Sequence, residues 1–327
     1  MYDFTGIGNA CLDVIASVDE QFLERFQLEK SIQSCIDKEV KLKLLAHLND
    51  NVTYQLGGSA SNVSAVISAL DGKSAFMGRL ANDSTGKKVI DGLCKEGVHY
   101  PAGKMIDSDL DSTEIFSFTT PDTERTFASY YGIGNEVGLD DIDFPTLEAS
   151  RIIYLDGYSL YSPNAYSAFL EVFKHFEDSD KNIIFHCADV SVIRNFKDQV
   201  RTLIDKSQIT IFNEQEALAL YGDTSAETIA NNLAKTKTAG AVTLNKNGAY
   251  IFKDNSLSKI KASLPKSTPV DTCGAGDHFS GGFLYGLTHN YSLDECGRLA
   301  SLCAADAITH FGGRPQGKLM HLLDEIK

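Results

Sequence analysis

The sequence predicts an α/β protein: a mostly parallel central sheet flanked by helices, carrying a small β lid. Three observations lead there. From Arg151 onward, short apolar runs at Ile152–Leu155, Asn182–Phe185, Ile209–Phe212 and Gly240–Leu244 alternate with helical patterns such as Pro163–Phe176, where Phe169, Leu170 and Phe173 share a face. Strands that alternate with helices pair in parallel and are covered by them. Between residues 98 and 132 the character changes to two β-like pieces, Glu114–Phe118 and Arg125–Tyr131, around the turn Thr120-Pro-Asp-Thr123. That hairpin, together with segment 12–36, is expected to form the lid of one domain spanning 1–327. No repeat or low-complexity linker divides the chain.

A chain of 327 residues, 43% hydrophobic and 23% charged, can bury a large core. Its net charge of −14, with no basic stripe, speaks against a nucleic-acid or anionic-membrane partner. A local loop can still hold the phosphates of a nucleotide. No apolar run reaches the ~18 residues of a spanning helix, and Met1-Tyr-Asp-Phe-Thr5 lacks the layout of a signal peptide. Seven cysteines, odd in number and without a C-x-x-C pair, argue against a disulfide framework or zinc site. Cytoplasm is the expected compartment.

Residues 2–18 read as a first strand that runs through Gly6-Ile-Gly8-Asn-Ala-Cys-Leu-Asp13 and resumes at Val14–Val18. Gly6 and Gly8 do not make a dinucleotide fingerprint, because Cys11 holds the third glycine position and no helix follows at once. Asp13, just after the strand, either caps a turn or accepts hydrogen bonds from a vicinal diol. Residues 37–49 read as a helix with Val40, Leu44, Leu45 and Leu48 inward and Lys38, Lys41 and Lys43 on the wet side. Gly57 and Gly58 then allow close backbone approach. Asn62, one turn into the next helix, either ties down that glycine loop or faces a ligand. Ser74–Gly78 reads as a strand, and Asp83-Ser-Thr-Gly86 opens the helix 87–95. Gly86-Lys87 is not a phosphate-binding P-loop, since Ala81 and Lys88 stand where Gly and Ser or Thr are needed. Arg125 is either a solvated edge residue or a cation that meets phosphate when the lid closes. Ligands of a parallel sheet bind at the carboxyl ends of its strands. There fall Asp156-Gly-Tyr158, Asp189, Asn213-Glu-Gln-Glu216 and Thr243, with Gly248 in the turn beyond.

The chemistry concentrates in Pro269–Phe283. Gly274-Ala275-Gly276 is a loop without bulk that opens a helix with Phe279, Phe283, Leu284 and Leu287 on one face. Such a loop offers unpaired N–H donors and the positive dipole end to an anion. Asp277 places a carboxylate in the same spot. A phosphate cradle avoids that charge, whereas a site that deprotonates a hydroxyl for attack on phosphorus needs both donors and base. Gly-x-Gly-Asp alone also describes an ordinary turn with a capping acid. The longer string Asp271-Thr-x-Gly-Ala-Gly-Asp277, followed by Gly281-Gly282, closely resembles the C-terminal signature of the ribokinase-like carbohydrate and nucleoside kinases.

That resemblance extends over essentially the whole chain. It implies that Asp13 holds sugar hydroxyls and that Gly57, Gly58 and Asn62 contact the substrate. It implies ATP on Thr243, Gly248, Gly274 and Gly276, Mg²⁺ organised largely through water by Asn213 and Glu216, and a monovalent cation such as K⁺ near Asp271 and the 306–313 loop. The chain looks closest to adenosine kinase-like members, through Thr120-Pro-Asp-x-x-Arg125-Thr, Asp156-Gly-Tyr158, Cys296-Gly-Arg298 and Arg314-Pro315. In that group Arg125 approaches the transferring phosphate and Tyr158 lies against the purine. The implied reaction is ATP-dependent phosphorylation of a nucleoside's primary hydroxyl, adenosine to AMP, with Asp277 as base. The alternatives are a ribose or fructose kinase and a non-catalytic nucleoside- or sugar-binding protein, as monomer or lid-paired homodimer. Three features depart from the pattern. His278 stands where small residues are usual, and either shifts the pKa of Asp277 or points away. Asn245 replaces a glycine of Thr-x-Gly-x-x-Gly, and segment 28–36 lacks the Gly and Met expected at the lid edge.

Overall fold

The computed structural model describes residues 1–49, 51–101, 105–122, 124–222 and 225–326; Thr123 of the expected lid turn and residues 102–104 lie outside them. The chain opens with β1 (Tyr2–Ile7), β2 (Cys11–Ser17), α1 (Glu20–Arg25), β3 (Gln33–Cys35), α2 (Lys38–Leu48), β4 (Thr53–Gly57) and α3 (Ser59–Ala69). It continues with β5 (Ser74–Met77), α4 (Ser84–Lys95), β6 (Thr113–Thr119), β7 (Arg125–Tyr130) and α5 (Phe144–Glu148). Then come β8 (Ser150–Asp156), α6 (Ala165–His175), β9 (Asn182–His186), α7 (Val190–Asn195), α8 (Lys197–Lys206), β10 (Ile209–Asn213), α9 (Glu214–Tyr221) and α10 (Ala226–Leu233). The chain finishes with β11 (Ala239–Thr243), β12 (Ala249–Lys253), β13 (Ser256–Ile260), α11 (Ala275–Thr288) and α12 (Leu293–Ala307).

Eight strands form the main sheet in the order β13-β12-β11-β10-β9-β8-β1-β5. It is parallel from β5 to β11, and the hairpin β12–β13 closes one side antiparallel. Both faces are covered, as the continuous apolar strands require. One face packs Phe4, Phe76 and Tyr154 against α3, α11 and α12. The other packs Ile7, Leu155, Phe185 and Phe212 against α6 and α8 to α10. Two glycines let α11 settle between its neighbours: a Cβ on Gly281 would lie 2.5 Å from Val66, and one on Gly282 would lie 2.9 Å from Ala300.

The second sheet has the order β3-β7-β6-β2-β4. Side chains alternate across it with period two. Val14, Ala16, Phe116, Phe118 and Ala128 pack on Phe22 and Leu23 of α1 and on Leu44 and Leu48 of α2. The opposite set, including Asp13, Ile15, Ile115, Ser117, Arg125 and Phe127, lines a cavity.

Two expectations are corrected here. Residues 2–18 are not one strand: the chain breaks at Gly8–Ala10 and passes from the main sheet into the second. Asp13 therefore lies inside a strand, opposite Gln55 and beside Ile115. Lys41 is not on the wet side of its helix but buried, with Nζ 3.2 Å from Asp111 and 3.5 Å from Glu114. Two carboxylates compensate the burial of its charge. Among the described residues no helix is long and apolar enough to cross a membrane.

Candidate active site

The carboxyl ends of the main-sheet strands and the mixed apolar and polar inner face of the second sheet enclose a cavity of about 490 Å³. Of the residues singled out from the sequence, Asp13, Gly58, Asn62, Arg125, Tyr158, Asn213, Glu216, Thr243, Asp271, Gly274, Gly276 and Asp277 line it, as does Asp189. Gly57, Ala275 and Gly248 do not. Gly57 lies behind Asp13, where a Cβ would come within 2.4 Å of its carboxylate oxygen. Gly248 turns the chain into β12 with φ +91° and packs on the Ile260 carbonyl.

Of the helices that start at this cavity, two are led by glycine. Gly274 caps α11 with φ +74° and no side chain satisfies that helix end. A Cβ on it would lie 2.4 Å from the α-carbon of Gly313, so this close approach requires glycine. Gly58 caps α3 with φ +90°, again without a side-chain hydrogen bond. The helix ends converge on Asp277. Its Oδ1 accepts from Ser59 Oγ at 2.7 Å and its Oδ2 from Asn62 Nδ2 at 2.8 Å. Burial raises its pKa above the usual aspartate value, while those two hydrogen bonds pull the other way. Asn62 thus serves neither of its two expected roles alone: its amide holds the carboxylate, and its Oδ1 has no hydrogen-bond partner among the described residues.

Asp13 reaches the cavity from β2, and burial lifts its pKa to about 6 against the opposing charge of Arg314. Arg314 is buried and donates to the carbonyls of Leu56 at 3.2 Å and Ser61 at 2.6 Å, and to Ser61 Oγ. It pins the turn that carries Gly57 and Gly58. Asp156 ends β8 with one carboxylate oxygen accepting from Tyr158 N at 3.1 Å. Full burial raises its pKa to about 7. At the rim, Asn213 and Glu216 cap α9 reciprocally: Glu216 N donates to Asn213 Oδ1, and Asn213 N to Glu216 Oε2, both at 2.9 Å. Burial raises Glu216 to about 7.

Arg125 crosses from the second sheet to Asp271, with Nη1 to Oδ1 at 2.8 Å. The same Oδ1 accepts from Cys273 N at 2.9 Å, and Oδ2 accepts from Gly312 N at 2.8 Å. Both oxygens of Asp271 therefore have protein donors, and Oδ2, with a single one, keeps a lone pair free.

The departures from the family pattern are also placed. Asn245 takes φ +51°, a left-handed conformation that asparagine tolerates. Segment 28–36 supplies β3, whose Gln33 donates to Ser129 Oγ at 3.0 Å and to Tyr131 OH at 2.9 Å. The His278 ring is buried and turned towards His310, just past α12, and does not line the cavity. Sequence reasoning missed Ser59, Arg314, Gln33 and Tyr131 as contributors. For Ser59 the signal was present, directly after Gly57-Gly58. Arg314 was in view as part of Arg314-Pro315, but its anchoring role depends on partners more than 250 positions away.

A roofed cavity at the strand ends of a doubly covered parallel sheet, with a carboxylate in the first turn of a glycine-led helix, defines a ribokinase-like α/β protein built for phosphoryl transfer. The chain belongs to the pfkB family of carbohydrate kinases, whose family model matches residues 30–317. It is a kinase, with ATP as co-substrate. The chain is 30% identical to the adenosine kinase from Sinorhizobium meliloti, covering 100% of this chain and 99% of that one with a TM-score of 0.89. It is 31% identical to a probable sugar kinase from Rhizobium etli, covering 99% and 98% with a TM-score of 0.88. An adenosine kinase from Saccharomyces cerevisiae is 24% identical over 94% of each chain.

Proposed function

We propose that this kinase phosphorylates the primary hydroxyl of a nucleoside, with adenosine as the acceptor that fits best. The observation that carries this reading is the wall of the cavity. Ile15, Ile115, Phe127, Tyr131 and Tyr158 line it together with Asp13, Asn62 and Asp277. A free sugar offers hydroxyls on every side and leaves such a surface unsatisfied, whereas a nucleoside offers a planar base to the apolar wall and a ribose to the polar groups.

In the proposed reaction Asp13 and Asn62 hold the ribose with its primary hydroxyl towards Asp277. Asp277 takes the proton as the hydroxyl oxygen attacks the γ-phosphorus in line. The N–H groups at the start of α11 stabilise the equatorial oxygens. Arg125 leaves Asp271 to join them, and closure of the second sheet as a lid excludes water. Glu216 and Asn213 are the residues that would hold magnesium. Among the described residues no three His, Cys, Asp or Glu side chains converge as a metal cage, which suits an ion that keeps water and phosphate oxygens in its shell. When bound with ATP, magnesium supplies charge neutralisation on the phosphates.

A sugar kinase is the second reading, favoured by the likeness to the Rhizobium etli protein. The test is phosphoryl transfer from Mg-ATP with adenosine, inosine, ribose and fructose offered in parallel. Adenosine is expected to react at the lowest concentration. Transfer to ribose or fructose with none to adenosine would overturn the acceptor and leave the mechanism standing.

A further inference from the structure

His278 follows the proposed base in sequence but reaches into a different part of the molecule. Its ring is wholly enclosed, and Nε2 lies 3.2 Å from the carbonyl oxygen of Gly313. A carbonyl only accepts, so Nε2 carries the proton and donates. Gly313 is the residue that shapes the anion loop. Its backbone occupies the space beside Gly274 where a side chain would stand, 2.4 Å from an added Cβ. On its other side, a Cβ on Gly313 would lie 2.6 Å from Asn62 Nδ2, the amide that holds Asp277.

Residues 311–314 thus form a strap across the back of the site, tied at each position. The Phe311 carbonyl accepts from Gln55 at 3.2 Å, Gly312 N donates to Asp271, and Arg314 is fastened to Leu56 and Ser61. The tie at Gly313 comes from the helix that bears Asp277. We propose that His278 is a positioning residue for phosphoryl transfer: its hydrogen bond to Gly313 locks the strap against Gly274 and so fixes the N–H donors of the anion loop relative to Asp277. The inference rests on the kinase reading of this site.

The ring acts through geometry rather than titration. Facing it are Asp306 and the backbone of Cys303 from α12, and His310 from just beyond that helix, its ring centre 6.1 Å away. Burial, with His310 adding to it, holds the pKa of His278 down to about 4. The ring stays neutral wherever a carboxylate base works.

The test compares His278→Ala with His278→Gln, whose Nε2 can donate to the same carbonyl. In His278→Ala, kcat should fall about 10-fold or more, the loss expected when a reacting geometry slips by a fraction of an ångström. The acceptor KM should stay unchanged, and the acid limb of the kcat profile should keep its midpoint. His278→Gln should regain most of the loss. Affinity for a non-hydrolysable ATP analogue, measured by calorimetry, should weaken in His278→Ala and recover in His278→Gln. That readout stands whichever acceptor proves right, and failure of wild-type transfer to every acceptor would strike the kinase reading instead. Equal kcat and equal analogue affinity in all three proteins overturn the proposal, as does a shifted acid limb. A measurement on the wild type guards against a variant that does not fold. The imidazole N–H resonance of His278 should exchange slowly and move when the analogue binds; fast exchange or an unmoved signal overturns the role.

Discussion

Helices in this molecule begin in two ways. Those away from the cavity commonly start on a short polar side chain: Asp19, Asp37, Asp83, Asp143 and Ser292 each accept a backbone N–H of the first turn. The two that meet over Asp277 start on Gly58 and Gly274, with no side-chain acceptor. A capped start uses its donors for local stability. A glycine cap puts no side-chain acceptor on them, so donors of that first turn stay available to a group that arrives from outside. Capped starts also reach the cavity, at Asp189 of α7 and Asn213 of α9, so the contrast marks the two starts beside Asp277, and substitutions can break it from either side.

The largest effect is expected at the carboxylate between the two glycine-led starts. Asp277→Asn should lower kcat by about 10²–10⁴-fold, the usual worth of a general base. Analogue binding should persist in that variant. An Asp277→Asn protein turning over at wild-type rate would remove the base from the mechanism. Next comes Gly274→Ala. The added methyl meets the Gly313 backbone, and the left-handed φ alone costs roughly 1–2 kcal/mol. Both kcat and Tm should fall together, whereas a loss of Tm with intact kcat would show that the loop needs no such shape.

A third effect lies in the pH dependence of stability. Asp156 and Glu216, each raised to about 7 by burial, hold protons in the empty folded protein that the unfolded chain gives up near 4. Their contribution to stability is present in acid and is lost as pH rises from about 4 through about 7. Surface Asp122 goes the other way: Lys30 lowers it to about 2, and its contribution is lost as pH falls. Thermal unfolding of Asp156→Asn and Glu216→Gln should show a flatter slope across pH 4 to 7 than the wild type. An unchanged slope in both variants would deny the raised pKa values. The smallest effect belongs to an ordinary cap. Asp37→Ala removes the hydrogen bond to Val40 N and should cost about 1 kcal/mol of stability with kcat untouched.

What the sequence disclosed follows from the range of each interaction. The β/α alternation after Arg151 and the glycine-led start of α11 are local patterns, so they read directly. So does Asp156 at the end of β8. The break at Gly8–Ala10 did not, because both flanking runs are apolar and periodicity does not say which sheet a strand joins. Lys41 was misplaced because its partners Asp111 and Glu114 lie some 70 positions away. The pairing of Arg125 with Asp271 and the hold of Arg314 on the Gly57–Gly58 turn are likewise long-range. Helix α3 offered Ser59 and Asn62 in plain view. That they would clasp the carboxylate of a helix more than 200 positions later was not written in either segment.

The grip of Arg314 on Leu56 joins residues 258 positions apart, and it has a bearing on how the protein is made. On a ribosome the first glycine turn emerges early and waits, without its anchor, for nearly the whole of synthesis. The parallel strands through β11 can assemble in that interval, since their partners are already present. The strap cannot. A nascent chain therefore acquires its sheet well before it acquires a competent centre, and a half-made copy has little means to act on nucleotide. Truncated chains of increasing length would show the order: protease resistance first, affinity for an ATP analogue only once residue 314 is included.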